Sequence, residues 1–432
     1  MTREEVPRWP ARQVLAPRRL LRTNEQGYPM GVCSSPAFIY HGRPREVSRG
    51  TIAVSCGPRD LVVEVLMCAR CGTDKTIYYC GHPNVDPYAP VVLGHELVGR
   101  IVEVGDEVHT LKEGIGFRQG EVLPESELSF RAGERVTFQS RIARYTPEGL
   151  MLVPRPIANL SFQINGGYAK YMKVPETMIR SGSVLRVPPS VSDEEACLVE
   201  PAACALESIF ATPHPVGTDA AGRHLFRAGI RPGGTVCIIG SGTVGLIYAA
   251  LARLEGAKRI VVLVRSETKK RLVAKLLGID VETYLLPRIE DAATPETSSA
   301  EDTVVRELTT ATGGALFDDV IAACAAPSAQ RLMLRLYAPE GGAVGACFGG
   351  THHRVDGVDL DAHHYRAAKT IGTSGCSTRC MQTVLAWLAE GRVHFDGFTS
   401  SRRFSLDDDP HEFFTTEKDG LKPVIDMAGG GR

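Results

Sequence analysis

The sequence has almost no net charge. Its 432 residues contain 49 Lys and Arg against 50 Asp and Glu, which leaves a formal net charge of −1. A chain this neutral lacks the basic footprint with which proteins hold nucleic acid or an anionic membrane surface. We therefore expect neither nucleic acid nor a membrane as a partner.

The sequence also lacks the marks of secretion and of a disulfide scaffold. The N-terminus has no apolar core of the length that a secretory signal needs, about 7–15 residues. The 12 cysteines are sparse for a chain of 432 residues, whereas disulfide-rich folds are much denser in cysteine. We expect a reducing, cytoplasmic setting, in which cysteine indicates metal binding more often than disulfides.

One long uncharged run is present, but it is broken by glycine. Thr235–Ala252 carries no charged residue and approaches the length of a membrane span, which begins at roughly 18 residues. Gly240, Gly242 and Gly245 interrupt it in the middle. The run is therefore predicted to be a buried strand, a glycine turn and a buried helix.

Two different sequence patterns divide the chain. From Ala37 to about Val187, short valine-rich runs between Gly and Pro turns predict an all-β, barrel-like region. After Gly233, predicted strands alternate with predicted helices, among them the strand Arg259–Val264 and the helices Thr243–Leu254 and Glu267–Leu277. This alternation favours a parallel sheet covered by helices. Between the two regions, Asp193–Phe210 is predicted to be one helix with Ser192 as its N-cap. The predicted divisions are an N-terminal extension at residues 1–31, a split β domain at residues 32–205 and 376–432, and an inserted α/β domain at residues 206–375.

A GxGxxG element stands between the first predicted strand and helix of the α/β domain. In this position it is a dinucleotide-binding fingerprint, because the turn brings the backbone and a helix N-terminus close to a pyrophosphate. The residues expected to bind the cofactor are Gly240, Gly242, Thr243, Val244 and Gly245.

The end of the second strand bears on the choice of cofactor. NAD sites usually place Asp or Glu there to hold the ribose hydroxyls, but this sequence has Val264 followed by Arg265. Arg265, with Lys269 and Lys270 nearby, is suited to pair with a 2′-phosphate. The pattern therefore favours NADP, while NAD stays possible.

Three short motifs that contain possible metal ligands precede the glycine turn. Cys71 begins a Cys-Gly-Thr-Asp run, His95 and Glu96 follow Gly94, and Glu200 precedes Pro201. Cys, His and Glu form a reasonable zinc ligand set, and a catalytic zinc keeps one position open. The three motifs together predict a catalytic metal ahead of the cofactor site.

These motifs carry a resemblance to a known family. The runs that carry it are CGTD at 71–74, GHE at 94–96, GGYAKY at 166–171, EEACLVEPAACAL at 194–206 and GSGTVG at 240–245. Together they resemble the zinc-dependent medium-chain dehydrogenases, and most nearly their polyol and threonine dehydrogenase branch. The resemblance covers about residues 36–430 and implies a GroES-like catalytic domain, an inserted Rossmann domain and a homodimer or homotetramer.

The resemblance also implies a role for each site residue. Cys71 and His95 would ligate zinc, and Glu96 would be a third or exchanging ligand. Glu200 would ligate zinc directly or hold its water. Thr73 would pass the substrate proton, and Asp74 would orient His95.

The sequence departs from the family in three places. The histidine that often follows the CGTD aspartate is replaced by Thr76, so the outer end of the proton relay differs. The stretch at 137–154, where relatives carry four cysteines around a structural zinc, contains none. We therefore expect one catalytic zinc and no structural zinc. Insertions are expected near residues 110–130 and 212–230.

The function implied is a zinc-dependent, NAD(P)-linked oxidoreductase that interconverts an alcohol and a ketone. The branch favours a small polyhydroxylated substrate, namely a sugar alcohol, a sugar or a cyclitol. One alternative is an amino-alcohol oxidoreductase similar to threonine 3-dehydrogenase. Another is a non-catalytic binding protein that has kept the fold.

Overall fold

The computed structural model describes most of the chain. The described residues are 22–23, 29–31, 33–143, 157–350, 354–356, 358, 360–417 and 419–427. Most of the predicted N-terminal extension, and residues 144–154 of the cysteine-free stretch, lie outside them.

The first part of the chain is rich in strands, as its valine-rich runs predict. Its strands are β1 Arg22–Thr23, β2 Pro29–Met30, β3 Cys33–Tyr40, β4 Val47–Val54, β5 Leu61–Ala69, β6 Val91–Val92, β7 Glu96–Val104, β8 Arg135–Phe138, β9 Arg141–Ile142, β10 Ala158–Asn159, β11 Tyr171–Val174 and β12 Val184–Arg186. Its helices are α1 Gly72–Cys80, α2 Glu125–Leu128, α3 Glu176–Arg180 and α4 Asp193–Cys197.

Helices and parallel strands alternate in the middle of the chain. The connection into this region consists of α5 Val199–Phe210, β13 Pro213–Thr218 and β14 His224–Ala228. The strands that follow are β15 Thr235–Ile239, β16 Arg259–Val264, β17 Glu282–Leu285, β18 Asp319–Ala322, β19 Val344–Cys347 and β20 Lys369–Gly372. Their helices are α6 Thr243–Leu254, α7 Glu267–Leu277, α8 Pro295–Ala311, α9 Pro327–Arg335 and α10 Leu360–Tyr365.

The last part of the chain returns to the first sheet. Its elements are α11 Thr378–Ala389, β21 Thr399–Phe404, α12 Pro410–Thr415 and β22 Lys422–Asp426. The larger β sheet has the order β12-β8-β7-β5-β22-β21, with β11 also paired to β5. Because β22 runs antiparallel to β5, residues more than 300 positions apart in the sequence share one sheet.

The inserted region forms a six-stranded, all-parallel sheet. Its strand order is β17-β16-β15-β18-β19-β20, so the direction of winding reverses between β15 and β18. Ligands of open α/β sheets bind in the crevice outside the carboxyl ends of the strands at such a reversal. The predicted fold class, a split β-barrel domain with an inserted Rossmann sheet, is confirmed.

Steric limits explain the glycine turn after β15. Gly240 has φ of 119°, a backbone conformation that side-chain-bearing residues rarely adopt. A Cβ at Gly245 would lie 1.9 Å from the carbonyl oxygen of Gly240, which is far inside van der Waals contact. The turn therefore requires glycine at both positions.

The predicted helix Asp193–Phe210 is divided in two. Ser192 caps α4 in a capping box with Glu195, as expected. Pro201 then has no N–H to bond the carbonyl of Cys197, and its ring would clash with that carbonyl in a continuous helix. The chain turns at Leu198 and α5 begins one residue later.

The stretch near 212–230, where an insertion is predicted, forms an antiparallel hairpin of β13 and β14. Its outer strand, β14, is exposed at every residue, but its base is anchored. His214 Nε2 lies 2.8 Å from Asp319 Oδ1, and both side chains are almost fully buried. Burial raises the pKa of Asp319, and the hydrogen bond from His214 opposes that rise.

A shared hydrophobic core joins the two domains. It contains buried side chains from α5, α6 and α11, among them Ile209, Tyr248 and Leu385. Helix α5, which carries Glu200, is thereby fixed between the two sheets. None of the helices in the described ranges combines the length and apolar character needed to cross a bilayer.

Candidate active site

Two neighbouring strands bring the predicted metal ligands together. Cys71 follows β5, and His95 and Glu96 lie at the start of β7, which pairs with β5 through the register Ala69↔Glu96. One donor atom each from Cys71, His95 and Glu96 lies within 4.8 Å of the other two. The ligand set proposed from the sequence is therefore assembled on the ends of two paired strands.

Cys71 is held by the start of helix α1. It is the N-cap residue, and its sulfur accepts the backbone N–H of Thr73 at 3.4 Å. Its own N–H donates to Asp74 Oδ2 at 3.2 Å. The reciprocal capping box fixes the direction of the Cys71 side chain before any metal is bound.

Asp74 is fully buried, and the two oxygens of its carboxylate have different neighbours. Oδ2 also accepts the hydroxyl of Tyr168 at 2.7 Å. Oδ1 lies 3.7 Å from His95 Nδ1 and has no hydrogen-bond partner among the described residues. The carboxylate is thus beside His95, at a distance longer than a direct hydrogen bond.

Ser161 makes the contact to His95 that the sequence did not reveal. Its Oγ lies 3.1 Å from Nδ1 of His95. Burial tends to lower the pKa of His95, but Cys71 and Asp74 raise it well above its ordinary value. A metal-binding histidine is typically oriented by a hydrogen bond at its other ring nitrogen, and Ser161 with Asp74 provides that environment.

Glu96 forms a buried ion pair that sequence reasoning also missed. Lys422 Nζ donates to Glu96 Oε1 at 2.7 Å, and both side chains are nearly inaccessible. Burial raises the pKa of Glu96, while Lys422 and His95 oppose the rise. The second oxygen, Oε2, is buried without a hydrogen-bond partner among the described residues.

The donor set fits zinc. A thiol, an imidazole and a carboxylate are ligands that zinc accepts in tetrahedral sites with an open position. The unpartnered Oε2 of Glu96 gives an independent sign, because a buried carboxylate oxygen is costly unless something binds it.

Glu200 is grouped with other side chains than the predicted metal ligands. It is buried at the start of α5, and Ser140 Oγ donates to its Oε1 at 3.0 Å. Its carboxylate clusters with Cys204 and Cys376 rather than with Cys71, His95 and Glu96. The electrostatic influence of Glu200 nevertheless reaches His95.

The positions predicted to bear on proton transfer lie at the start of α1. Thr73 is exposed, and its hydroxyl has no partner among the described residues. Thr76 donates its hydroxyl to the carbonyl of Gly72 at 3.1 Å. Thr76 is therefore bonded within its own helix, whereas the Thr73 hydroxyl is available next to Cys71.

The glycine turn contacts the C-terminal segment 419–422. Thr243 Oγ1 donates to the carbonyl of Phe398 at 2.6 Å and accepts the N–H of Lys422 at 2.9 Å. Lys269 Nζ donates to the carbonyls of Ser241, at 3.3 Å, and of Asp419, at 2.6 Å. The hydroxyl of Thr243 is thus engaged by the C-terminal part of the chain.

The cations expected at the second strand occupy different positions. Arg265 is exposed just after β16 and has no ion-pair partner among the described residues, while its charge reaches Cys324 at the end of β18. Lys270 is exposed, with Nζ 4.0 Å from Glu267 Oε1. Lys269 is half-buried against the glycine turn. Its pKa is lowered by burial, with Asp419 and Glu417 opposing.

Tyr168→Phe tests the support of the metal centre. Removing the hydroxyl takes a charge-assisted hydrogen bond from Asp74, which we expect to lower the free energy of unfolding by about 1.5–3 kcal/mol. Loss of an outer contact of this kind should also weaken zinc binding by roughly 10- to 100-fold. Zinc retention against a competing chelator and thermal unfolding measure the two effects.

Tyr40→Phe is the matched control. Tyr40 is equally buried and donates to Asp86 Oδ1 at 2.9 Å, a contact that involves none of the candidate metal ligands. Its loss should destabilise the protein without changing zinc retention. If both variants release zinc equally, the support assigned to Tyr168 is wrong.

Two family models match the chain. The alcohol dehydrogenase GroES-like domain matches residues 57–116, which include Cys71, His95 and Glu96. The zinc-binding dehydrogenase model matches residues 243–390, from the glycine turn through α11. The two matches correspond to the two halves of the site just described.

Curated relatives and a solved structure agree with these models. D-arabinitol dehydrogenase 1 of Uromyces fabae is 27% identical over 61% of this chain and 64% of its own length. Scyllo-inosose 3-dehydrogenase of Thermotoga maritima is 28% identical over 52% of each chain. A zinc-binding dehydrogenase of Sinorhizobium meliloti, solved with NADP, has a TM-score of 0.69 at 22% identity and covers 91% of this chain and 99% of its own. The chain thus aligns with between half and two thirds of these curated relatives, and the structural likeness concerns the fold.

Proposed function

Because this chain belongs to the zinc-type medium-chain dehydrogenase/reductase family, we propose that it is an NAD(P)-linked oxidoreductase that interconverts an alcohol and a ketone. The observation that carries the proposal is the convergence of Cys71, His95 and Glu96 within 4.8 Å of one another. In the same protein a glycine turn opens onto the crevice of a parallel sheet. A metal centre and a dinucleotide site in one chain are the two parts that hydride transfer to or from a carbonyl carbon requires.

Cys71, His95 and Glu96 would hold one catalytic zinc. A bound zinc supplies Lewis acidity toward the substrate oxygen, and a nicotinamide supplies or accepts the hydride. The protein's own groups prepare the site for this chemistry. Ser161 and Asp74 orient His95, and Lys422 holds one oxygen of Glu96 while leaving the other available.

Thr73 is the residue proposed to move the proton. Its hydroxyl is exposed and unpartnered among the described residues, and its N–H is bonded to the sulfur of Cys71. It can therefore accept a proton from a substrate hydroxyl and release it outward. The relay continues through solvent in our proposal, because Thr76 is bonded to its own helix.

The cofactor is proposed to be NADP, with NAD as the alternative. Val264 leaves the ribose position without a carboxylate that would repel a 2′-phosphate. Arg265 is exposed beside the crevice and has no other ion-pair partner among the described residues. The NADP bound by the solved relative from Sinorhizobium meliloti supports this choice.

Arg265→Ala tests the cofactor assignment. If Arg265 pairs with the 2′-phosphate, removing one charge-assisted contact of about 1.5–3 kcal/mol should raise the dissociation constant for NADP by roughly 10- to 100-fold. The dissociation constant for NAD should change little. Titration calorimetry with both dinucleotides measures the difference.

Lys270→Ala is the comparison for Arg265→Ala. Lys270 is exposed but lies near Glu267, so we expect a smaller loss of NADP affinity. A loss confined to Lys270→Ala would assign the phosphate contact to that residue. Unchanged NADP affinity in Arg265→Ala would remove Arg265 from the site.

The substrate is proposed to be a small polyhydroxylated alcohol or its ketone. The names of the two curated relatives, a pentitol dehydrogenase and an inosose dehydrogenase, support this class. A screen of sugar alcohols, sugars, cyclitols and their ketones with both dinucleotides, read by nicotinamide absorbance, tests the proposal. Turnover of L-threonine alone would favour the amino-alcohol alternative. No turnover together with no bound zinc would favour the non-catalytic one.

The proposal extends to assembly and setting. Family likeness supports a homodimer or homotetramer in a reducing, cytoplasmic environment. The twelve cysteines, all of which lie within the described ranges, are free thiols. Sedimentation of the purified protein measures the oligomeric state directly.

A further inference from the structure

A buried arginine lies directly before the first candidate metal ligand. Arg70 stands between the end of β5 and Cys71, and its relative exposure is only 6%. A guanidinium carries five N–H donors, and burying it is costly unless those donors are bonded. The acceptors of Arg70 all lie in the C-terminal part of the chain, so the contacts of this residue extend beyond its own strand.

The guanidinium binds the end of helix α12. Nη1 donates to the carbonyl oxygens of Phe413, at 2.8 Å, and Phe414, at 2.6 Å. Nη2 donates to the carbonyl oxygen of Thr416 at 3.0 Å. Because the last carbonyls of a helix have no partner within the helix, a cation with several donors satisfies them together. Arg70 therefore fixes the place where α12 ends.

Glu417 joins this contact to helix α1. Its Oε1 accepts Nη2 of Arg70 at 3.1 Å and Nζ of Lys75 at 2.7 Å. Lys75 lies on α1, the helix that Cys71 caps. The end of α12 is therefore held to both sides of Cys71, namely to the residue before it and to the helix after it.

The main chain of Arg70 holds the strand that follows α12. Its N–H donates to the carbonyl of Pro423, in β22, at 2.9 Å. Its carbonyl oxygen accepts Nζ of Lys422 at 3.4 Å, and the same ammonium donates to Glu96 Oε1 at 2.7 Å. Lys422 is thus held between the carbonyl of Arg70 and the carboxylate of a candidate metal ligand.

The position of Lys422 decides which oxygen of Glu96 is available. The ammonium occupies Oε1, while Oε2 is buried with no hydrogen-bond partner in the described part of the chain. An ammonium that moved to Oε2 would compete with a metal ion, and one that left the carboxylate would leave a buried charge unpaired. Arg70 restricts both movements, because it holds the chain before Lys422, at α12, and after it, at Pro423.

We propose that Arg70 is a positioning residue, which holds the ammonium of Lys422 on Oε1 of Glu96 and so leaves Oε2 for the metal. Its guanidinium acts through the main chain of the C-terminal segment rather than on the reacting atoms. This role rests on the proposed zinc centre, because an available Oε2 matters only where a metal binds it. The first test nevertheless needs no metal.

Acylation of the metal-free protein tests the position of Lys422. In the unchanged chain the ammonium is nearly inaccessible, so an amine-reactive acyl reagent should modify it slowly. In Arg70→Met we expect the labelling of Lys422 to become at least about tenfold faster, because the lost hydrogen bonds no longer oppose local opening. Exposed Lys258 should react at the same rate in both proteins. Peptide mass spectrometry measures the two rates.

Zinc affinity tests the consequence for the metal centre. We expect Arg70→Met to raise the zinc dissociation constant by roughly 10- to 100-fold, as does the loss of other groups that support a metal ligand. In a Lys422→Met background the same change should alter it by no more than about twofold, because Arg70 then has no ammonium to position. Competition with a chromophoric chelator measures all four proteins. Visible absorption of their cobalt-loaded forms reports the geometry of the centre.

Arg331→Met is the matched control. Arg331 is similarly buried and donates to the carbonyls of Asp291, at 2.6 Å, and Glu290, at 3.1 Å, and to Glu301 Oε1 at 2.9 Å. It lies on α9 in the parallel-sheet domain, and all three acceptors are outside the candidate metal centre. Its loss should destabilise the protein without changing zinc affinity or the labelling of Lys422. Equal changes in Arg331→Met and Arg70→Met would reduce Arg70 to a general support of the fold.

Arg70→Lys keeps the proposal testable if Arg70→Met does not fold. Lysine retains the charge but not the planar guanidinium that reaches several carbonyls, so it should change labelling and zinc affinity in the same direction. Unchanged labelling of Lys422, or an equal loss of zinc affinity with and without Lys422, overturns the positioning role. If the unchanged protein binds no zinc while the labelling of Lys422 still rises in the variant, the proposed zinc chemistry is wrong and the positioning of Lys422 stands.

Discussion

Replacing Cys71 with serine should lower kcat/KM by about a thousandfold for the alcohol–ketone interconversion proposed above. Lewis acid catalysis by a metal is worth several kcal/mol, and about 4 kcal/mol corresponds to three powers of ten in rate. Serine keeps the cap of α1, since its oxygen accepts the same backbone N–H that the sulfur of Cys71 accepts. The variant therefore removes a soft ligand without removing the helix start. Steady-state kinetics and zinc content measure the result.

Cys80→Ser controls for the loss of a thiol from the same helix. Cys80 is the last residue of α1 and is exposed, so its replacement should change neither kcat/KM nor zinc content. An active Cys71→Ser variant that contains no zinc at the Cys71 centre would contradict the proposed mechanism. Circular dichroism before and after zinc removal separates a metal effect from misfolding.

Replacing His214 with alanine should destabilise the protein by about 3–5 kcal/mol, because a buried carboxylate then loses its partner. Asp319 would retain only the N–H of Arg231, which donates to its Oδ2 at 3.1 Å. Asp319 begins the central strand β18, next to β15. The loss of stability should therefore affect the six-stranded parallel sheet. Chemical unfolding of the metal-loaded protein measures the change.

Arg223→Ala is the matched control in the same hairpin. Arg223 pairs with Asp219 near the hairpin tip, where its side chain is 82% exposed. Exposed pairs of this kind contribute about 0–1 kcal/mol, so the control should be nearly neutral. If both variants lose the same stability, the buried pair does not anchor the hairpin. The double variant of His214 and Asp319 should then be compared with the single ones to isolate their coupling.

The elements that the sequence predicts best are those with local signals. The helices Thr243–Leu254 and Glu267–Leu277 and the strand Arg259–Val264 have the predicted bounds, because glycine, a serine cap and β-branched runs mark their ends. The helix predicted across Leu198 was divided because Pro201 acts against the apolar pattern. A single residue that lacks an N–H was enough to change the bounds.

The site was predictable where its residues sit in compact motifs. Cys71, His95 and Glu96 come together through the pairing of β5 with β7. The sequence revealed their motifs but not the register of that pairing. Ser161 and Lys422 could not be predicted in the same way. Lys422 lies 326 positions from Glu96, and only the return of the chain to the first sheet brings it there. Tyr168 lay within a recognised motif, but its bond to Asp74 needed the fold.

The hydrogen bonds of the Asp74 carboxylate are a second feature that the sequence does not predict. The resemblance implies that Asp74 orients His95, but one oxygen of its carboxylate accepts hydrogen bonds from the Tyr168 hydroxyl and the N–H of Cys71. Sequence identifies an acid near a histidine but not which oxygen is already engaged. That depends on the angle at which α1 leaves β5.

The segment 419–422 touches both halves of the site. The carbonyl of Asp419 accepts a hydrogen bond from Lys269 beside the glycine turn. The ammonium of Lys422 donates a hydrogen bond to Glu96. A shift of this segment changes the surroundings of the metal ligand and of the dinucleotide together. Thermodynamic reciprocity then applies: the factor by which metal occupancy changes dinucleotide affinity must equal the factor by which the dinucleotide changes metal affinity. We expect these four residues near the C-terminus to make the two proposed binding equilibria interdependent.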